Sequence, residues 1–132
     1  MEHTWLRLGA VSAAMAVACG AFGAHALKAR VAAGLLAPER LDVWHTAAQY
    51  QMWHALALIA VAVAMRAGLL PAGRALPVGL LAGTVLFSGS LYTLVLTDIG
   101  AFGAITPLGG VTWLLCWGWL AVSARPGPSA DL

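Results

Sequence analysis

Charge is what this chain has least of. Of its 132 residues, seven are Lys or Arg and five are Asp or Glu, 9% in all. An ordinary soluble domain carries roughly 25%. Too few charges remain to clothe a water-facing surface, so lipid is expected to cover most of the outside. The net charge of +2 is too small and too scattered to suggest a nucleic-acid partner.

Reactive groups are scarce as well. There are two cysteines, Cys19 and Cys116, each inside an apolar run, with no CxxC spacing and no neighbouring His. That argues against a thioredoxin-like or metal-thiolate site and for small buried side chains. Glu39, Asp42 and Asp98 fall between the apolar runs, so paired-carboxylate chemistry has no place to form. Neither a phosphate-binding glycine loop nor a nucleophile triad can be drawn from the remaining residues.

Hydrophobic length is abundant. Four spans, at 5–27, 44–66, 76–97 and 104–124, reach the roughly 20 residues needed to cross the hydrocarbon core. The expected fold is an all-α membrane protein: four transmembrane helices in a compact up-down bundle, one domain over 1–125. Residues 126–132 are expected to form a disordered polar tail. The segment Lys28–Asp42 is too charged for burial and too apolar for a free linker, and is expected as a short interfacial piece along the headgroups. Pro38 suits the first turn of a new helix, with Glu39 favourable near its positive end. Thr106-Pro107 is likewise an N-cap followed by proline at the first helical position.

Arg7, an apolar run and Ala16–Cys19 approximate a lipoprotein signal. The run continues past Cys19 to Leu27, so the first span is expected to be retained. On that helix two seams of small residues face opposite ways. One is Ala10, Ala14, Ala18 and Ala21, ending in His25; the other is Gly9, Ala13, Ala16, Gly20 and Gly23. Small residues let helices approach closely in lipid, so the first helix is expected to be central. Gly79, Gly83 and Gly89 are the corresponding packing candidates on the third. The pentapeptide GAFGA, at Gly20–Ala24 and Gly100–Ala104, has unmatched flanks and is read as coincidence. Basic residues lean slightly toward cytoplasmic termini: Arg7, Arg66, Arg74 and Arg125 against Lys28, Arg30 and Arg40.

The second span carries the chemistry. Tyr50, Gln51 and His54 share one helical face, while His45 and Gln49 point away. An antiparallel hairpin would bring His25 to this face, giving a candidate intramembrane cluster of His25, Tyr50, Gln51 and His54. Such groups can ligate metal or haem through His25 and His54, hold a quinone or relay protons, or simply fix helix register. Two histidines without a carboxylate or thiolate make a thin metal site, so no cofactor is expected, and haem or metal stands as the weaker alternative.

Four segments together resemble a known family: GAFGAHALK (Gly20–Lys28), TAAQYQMWHALAL (Thr46–Leu58), FSGSLYTLVLT (Phe87–Thr97) and ITPLGGVTWLLCW (Ile105–Trp117). The chain is similar to the YgdD-type family, small uncharacterised membrane proteins with bacterial inner-membrane and mitochondrial members. The resemblance implies a multi-span protein with an uncleaved first span and carries no established activity. Its motif positions are Gly23, His25, Tyr50, Gln51, His54, Ser88, Gly89, Tyr92, Pro107 and Gly109; Trp44 and His45 lie outside the pattern. The expectation is a non-catalytic structural or accessory component of the inner membrane, in contact with lipid and with itself or a larger membrane complex. The alternative is a small redox, proton-handling or ligand-binding protein using the His/Tyr cluster. Transport through one copy is disfavoured, because short helices rich in Gly and Ala leave little lumen.

Overall fold

The computed structural model describes residues 2–123; the tail at 126–132 lies outside the described residues. Four long helices account for most of the rest. Helix α1 (His3–Ala32) contains a π-helical turn at Gly23–Leu27. Helix α2 (Pro38–Arg66) is unbroken, and α3 (Ala75–Thr97) contains a second π-helical turn at Val85–Gly89. A 3₁₀ turn, Gly100–Ala104, leads into α4 (Thr106–Ser123). All four are long and apolar enough to cross a membrane, the fourth counted with its 3₁₀ turn. The protein is an all-α, four-helix membrane protein.

The connections are short because the helix ends carry their own stop signals. Gly34 and Gly68 take φ of +71° and +74°, the left-handed conformation that glycine adopts without steric cost. At each, the next residue's N–H reaches back five positions, Leu35 to Arg30 and Leu69 to Ala64, while the glycine N–H bonds three back. This double bond satisfies carbonyls that a helix terminus leaves orphaned. Helix α3 ends instead on Asp98 at φ +56°, whose N–H bonds Leu94 and whose carboxylate pairs with Arg40 at 2.6 Å.

Because α1 runs to Ala32 and α2 starts at Pro38, the segment Lys28–Asp42 is not a separate interfacial piece. It is divided between two helix ends and a turn at 33–37. The Ala-rich KARVAA run keeps its helical hydrogen bonds until Gly34 halts it. Pro38 sits in the first turn of α2, as its missing N–H permits.

Contacts set each neighbouring pair antiparallel. Ser12 meets Gln51 and Cys19 meets Trp44 across α1–α2. Ala47 meets Ser88 and Arg40 meets Asp98 across α2–α3. Leu80 meets Trp113 and Ser90 meets Thr106 across α3–α4. Thr106, expected as an N-cap, thus places its hydroxyl 2.8 Å from that of Ser90.

The central helix is α2, not α1. Of the most apolar window of each helix, 44% is buried in α2 against 22% in α1 and 17% in α4. Only one α1 seam packs: Gly9, Ser12, Ala16, Gly23 and Leu27 are buried, while Ala10, Ala14, Ala18 and Ala21 face outward. The alanine seam can face outward because alanine is neutral toward both lipid and protein. The main core lies toward the end that holds the α2–α3 turn, where Leu58, Val61, Met65, Leu70, Leu76 and Leu80 surround Trp113 and Cys116. A smaller one, Leu27, Trp44 and Val95, closes the other end.

The glycines divide in the same way. A Cβ at Gly23 would strike the Trp44 indole, at Gly79 the Cys116 sulfur, and at Gly83 the Trp113 ring. Gly20 and Gly89 have nothing within 4 Å of that position, so neither is a packing glycine. Gly9, against Ile59 and the Ala55 carbonyl, and Gly109, against the Phe87 backbone, do that work instead. The two copies of GAFGA adopt different structures, α-helix entering a π-turn and a 3₁₀ turn.

Candidate functional site

Tyr50, Gln51 and His54 all lie on the inward side of α2, but neighbouring helices pull them into two separate settings. Gln51 turns toward α1 and α3. Its amide N–H donates to the Ser12 carbonyl at 3.0 Å, and its Oε1 accepts from the Tyr92 hydroxyl at 2.8 Å. The Tyr92 ring lies 4.5 Å from that of Trp44, whose indole N–H donates to the Cys19 carbonyl at 2.7 Å. Three helices are thereby joined through one amide. Tyr92, one of the motif positions, thus serves inside the bundle.

His54 turns toward α4. Its Nδ1 lies 2.8 Å from the Tyr50 carbonyl, and its Nε2 lies 3.2 Å from the indole nitrogen of Trp117. The partners dictate the tautomer. A carbonyl only accepts and an indole N–H only donates, so Nδ1 carries the proton and Nε2 accepts. The imidazole also lies flat on Trp113, with ring centroids 3.5 Å apart and planes within 5°. Trp113 in turn donates to the Leu80 carbonyl of α3 at 3.1 Å. Tyr50 packs beside this stack, 5.0 Å from Phe87 and 5.9 Å from Trp113. Ser88, inside the α3 π-turn, donates to the Ala47 carbonyl at 2.8 Å.

His25 does not join the group. It faces outward from the α1 π-turn, and the register puts it far away. Gly23 lies against Trp44; His54 is ten residues beyond Trp44, and His25 two beyond Gly23 in the opposite direction. At 1.5 Å per residue the two histidines stand about 18 Å apart along the axis, and Tyr50 about 12 Å from His25. The hairpin was placed wrongly because both helices continue past their apolar spans into a tight turn, which moves every pairing by two turns or more.

The geometry bears directly on metal chemistry. His25 and His54 cannot share an ion, and both ring nitrogens of His54 are engaged. Among the described residues no three His, Cys, Asp or Glu side chains come together. What the arrangement does chemically is satisfy donors and acceptors across helices, where each unsatisfied group in hydrocarbon would cost several kcal/mol by the general scale of about 2–7 kcal/mol.

Three participants were not singled out from sequence: Ser12 through its carbonyl, Trp44, and Trp117. The only available signal for the last was helical spacing, since Trp113 and Trp117 lie four apart on α4.

Comparison with known proteins gives a consistent picture. Residues 19–110 match the family described as Protein of unknown function (DUF423). The chain is 48% identical over 120 residues to the UPF0382 membrane protein YwdK of Bacillus subtilis (strain 168), covering 89% of this chain and 92% of that one. It is 43% identical over 115 residues to a UPF0382 membrane protein of Staphylococcus aureus (strain bovine RF122 / ET3-1), covering 83% and 85%. It is 44% identical over 115 residues to one from Staphylococcus saprophyticus, covering 83% and 87%. No solved structure matches. With four membrane-length helices and this extent of similarity, the chain belongs to the DUF423 family, membrane proteins without an assigned biochemical activity.

Proposed function

We propose that this protein is a non-catalytic structural or accessory component of the bacterial inner membrane, a member of the YgdD-type group, acting by packing against itself or a larger membrane complex. One observation carries the reading. Of the five polar residues buried within the spans, Gln51, His54, Ser88 and Ser90 commit their side chains to hydrogen bonds within or between helices, and Ser12 supplies the carbonyl that Gln51 bonds. Polar groups at membrane depth are retained where they do a job, and here that job is to hold register.

The flanking helices supply the surface for association. Helices α1 and α4 leave most of their apolar windows uncovered, including Val17, Leu114, Leu115 and Val122. The termini face the cytoplasm in this reading. Arg7, Arg66 and Arg74 are at that end, while at the other, with Lys28 and Arg30, Arg40 is paired with Asp98.

Mild-detergent purification from native membranes, followed by cross-linking and mass spectrometry, tests the proposal. The expected result is a reproducible stoichiometric partner or a defined homo-oligomer in a colourless, metal-free preparation. A solitary monomer, or stoichiometric haem or metal, would overturn it.

A further inference from the structure

Register-keeping does not account for the groove on the outer side of the α2–α4 seam. It encloses about 470 Å³ and opens between Tyr50, Trp53, Phe87, Gly110, Trp113 and Trp117. Three features set it apart from ordinary lipid-facing surface.

The first is an unpaired hydroxyl. Tyr50 is half-buried, yet its phenolic group has no hydrogen-bond partner among the described residues. Gln51, His54, Ser88 and Tyr92, on the same stretch of the bundle, are all bonded. Tyr50 lies near the middle of α2, two residues from the midpoint of Pro38–Arg66, where water is not at hand to compensate. The second is the character of the walls. Trp53 and Trp117 remain 54% and 45% exposed, and the Tyr50 ring stands 4.8 Å from Trp53 and 5.0 Å from Phe87. Flat π-faces at these spacings favour another flat ring in offset or edge contact. The third is the π-turn Val85–Gly89 that carries Phe87 to the groove. Such turns are rare and recur at functional positions.

We propose that this groove binds a quinone-class lipid, a planar ring bearing carbonyl acceptors on an apolar tail. The Tyr50 hydroxyl donates to a ring carbonyl, and Trp53, Phe87 and Trp117 frame the ring. Depth decides between this occupant and a phospholipid acyl chain. Phospholipid carbonyls sit at the interface, about 15 Å from the midplane of a hydrocarbon core about 30 Å thick, so an acyl chain presents no acceptor at the level of Tyr50. Binding alone is proposed. Both His54 nitrogens are committed, and no electron or proton transfer is assigned.

The test uses the full chain in phosphatidylethanolamine–phosphatidylglycerol liposomes with an azido-benzoquinone carrying a decyl chain. Labelled peptides are mapped by mass spectrometry. Labelling is expected on the groove segments of α2 and α4 and is competed by the unlabelled decyl-benzoquinone but not by decanol. Tyr50→Phe should weaken labelling about fivefold to tenfold, the scale of one hydrogen bond. Gly110→Leu should abolish it. A Cβ there meets only the Phe87 ring edge at 3.9 Å, so the larger side chain fills the groove without separating the helices, which a matching thermal melt would verify. Labelling that survives both variants, or that decanol or added phospholipid competes equally, overturns the proposal and assigns the groove to acyl chains.

Discussion

The indole N–H of Trp117 donates to Nε2 of His54 at 3.2 Å, across the interface between α2 and α4. Its consequence is that His54, near the middle of the central helix, is a neutral strut with no free nitrogen. The face of Trp113 covers one side of the ring, and the Tyr50 carbonyl accepts the hydrogen bond from its single N–H, at Nδ1. Removing the imidazole therefore strands the Trp117 indole N–H in hydrocarbon and opens a gap beside Trp113, while the Tyr50 carbonyl keeps its helical bond to the backbone N–H of residue 54.

His54→Ala is expected to destabilise the bundle by about 2–4 kcal/mol, combining a lost buried ring with a stranded indole N–H. His25→Ala should change stability by less than about 0.5 kcal/mol, since His25 faces outward. Denaturation in mixed micelles of the two variants side by side measures the contrast. Equal losses would restore a shared role for the two histidines.

The hairpin register can be read with disulfides. In a Cys19→Ser, Cys116→Ser background, Gly23→Cys with Trp44→Cys should oxidise readily. A Cβ at Gly23 lies 2.7 Å from Trp44 Cδ1, so the two positions face each other directly across α1 and α2, as a disulfide requires. His25→Cys with His54→Cys should not oxidise, being about 18 Å apart along the axis. Gel mobility with and without reductant distinguishes them.

Glycine substitutions should split into two classes. Gly83→Val and Gly109→Val drive a side chain into the Trp113 ring and the Phe87 backbone, and overpacking of this kind costs about 1–3 kcal/mol or more. Gly20→Ala meets nothing within 4 Å and should be neutral or slightly stabilising, because glycine weakens a helix by about 0.5–1 kcal/mol relative to alanine. Thermal melts in one detergent rank all three.

Much of the architecture was legible because lipid imposes it. A bilayer sets the length of an apolar run, so the four spans stand out from composition, and helical phase puts Tyr50, Gln51 and His54 on one side of α2. Partner choice was not legible. Gln51 and His54 are three residues apart, yet one meets Ser12 and Tyr92 and the other Trp113 and Trp117, because different helices border α2 at those angles. The position of His25 was missed for a separate reason: register depends on where helices stop, and Gly34 stops α1 well beyond its apolar run. Trp117 is one of three tryptophans on α4, and periodicity cannot distinguish the one that bonds inward from an interfacial anchor.

Arg40 and Asp98 form an ion pair at 2.6 Å, but their side chains are 31% and 79% exposed. Exposed pairs contribute about 0–1 kcal/mol, and asparagine tolerates the left-handed backbone at this position. Asp98→Asn should therefore shift stability by no more than about 1 kcal/mol. A larger loss would mean that the bridge, rather than the apolar contact of α2 with α3, closes this end of the bundle.

The most direct measurement of His54 as a structural strut is a double-mutant cycle with Trp117, using His54→Leu, Trp117→Phe and the pair, unfolded in mixed micelles. Interhelical hydrogen bonds in membrane proteins contribute about 0.6 kcal/mol on average and up to about 1.7. A coupling energy in that range is expected, with each single variant less stable than the parent. A coupling indistinguishable from zero, or a His54→Leu variant as stable as the parent, would contradict it and return His54 to the pool of residues kept for chemistry rather than packing.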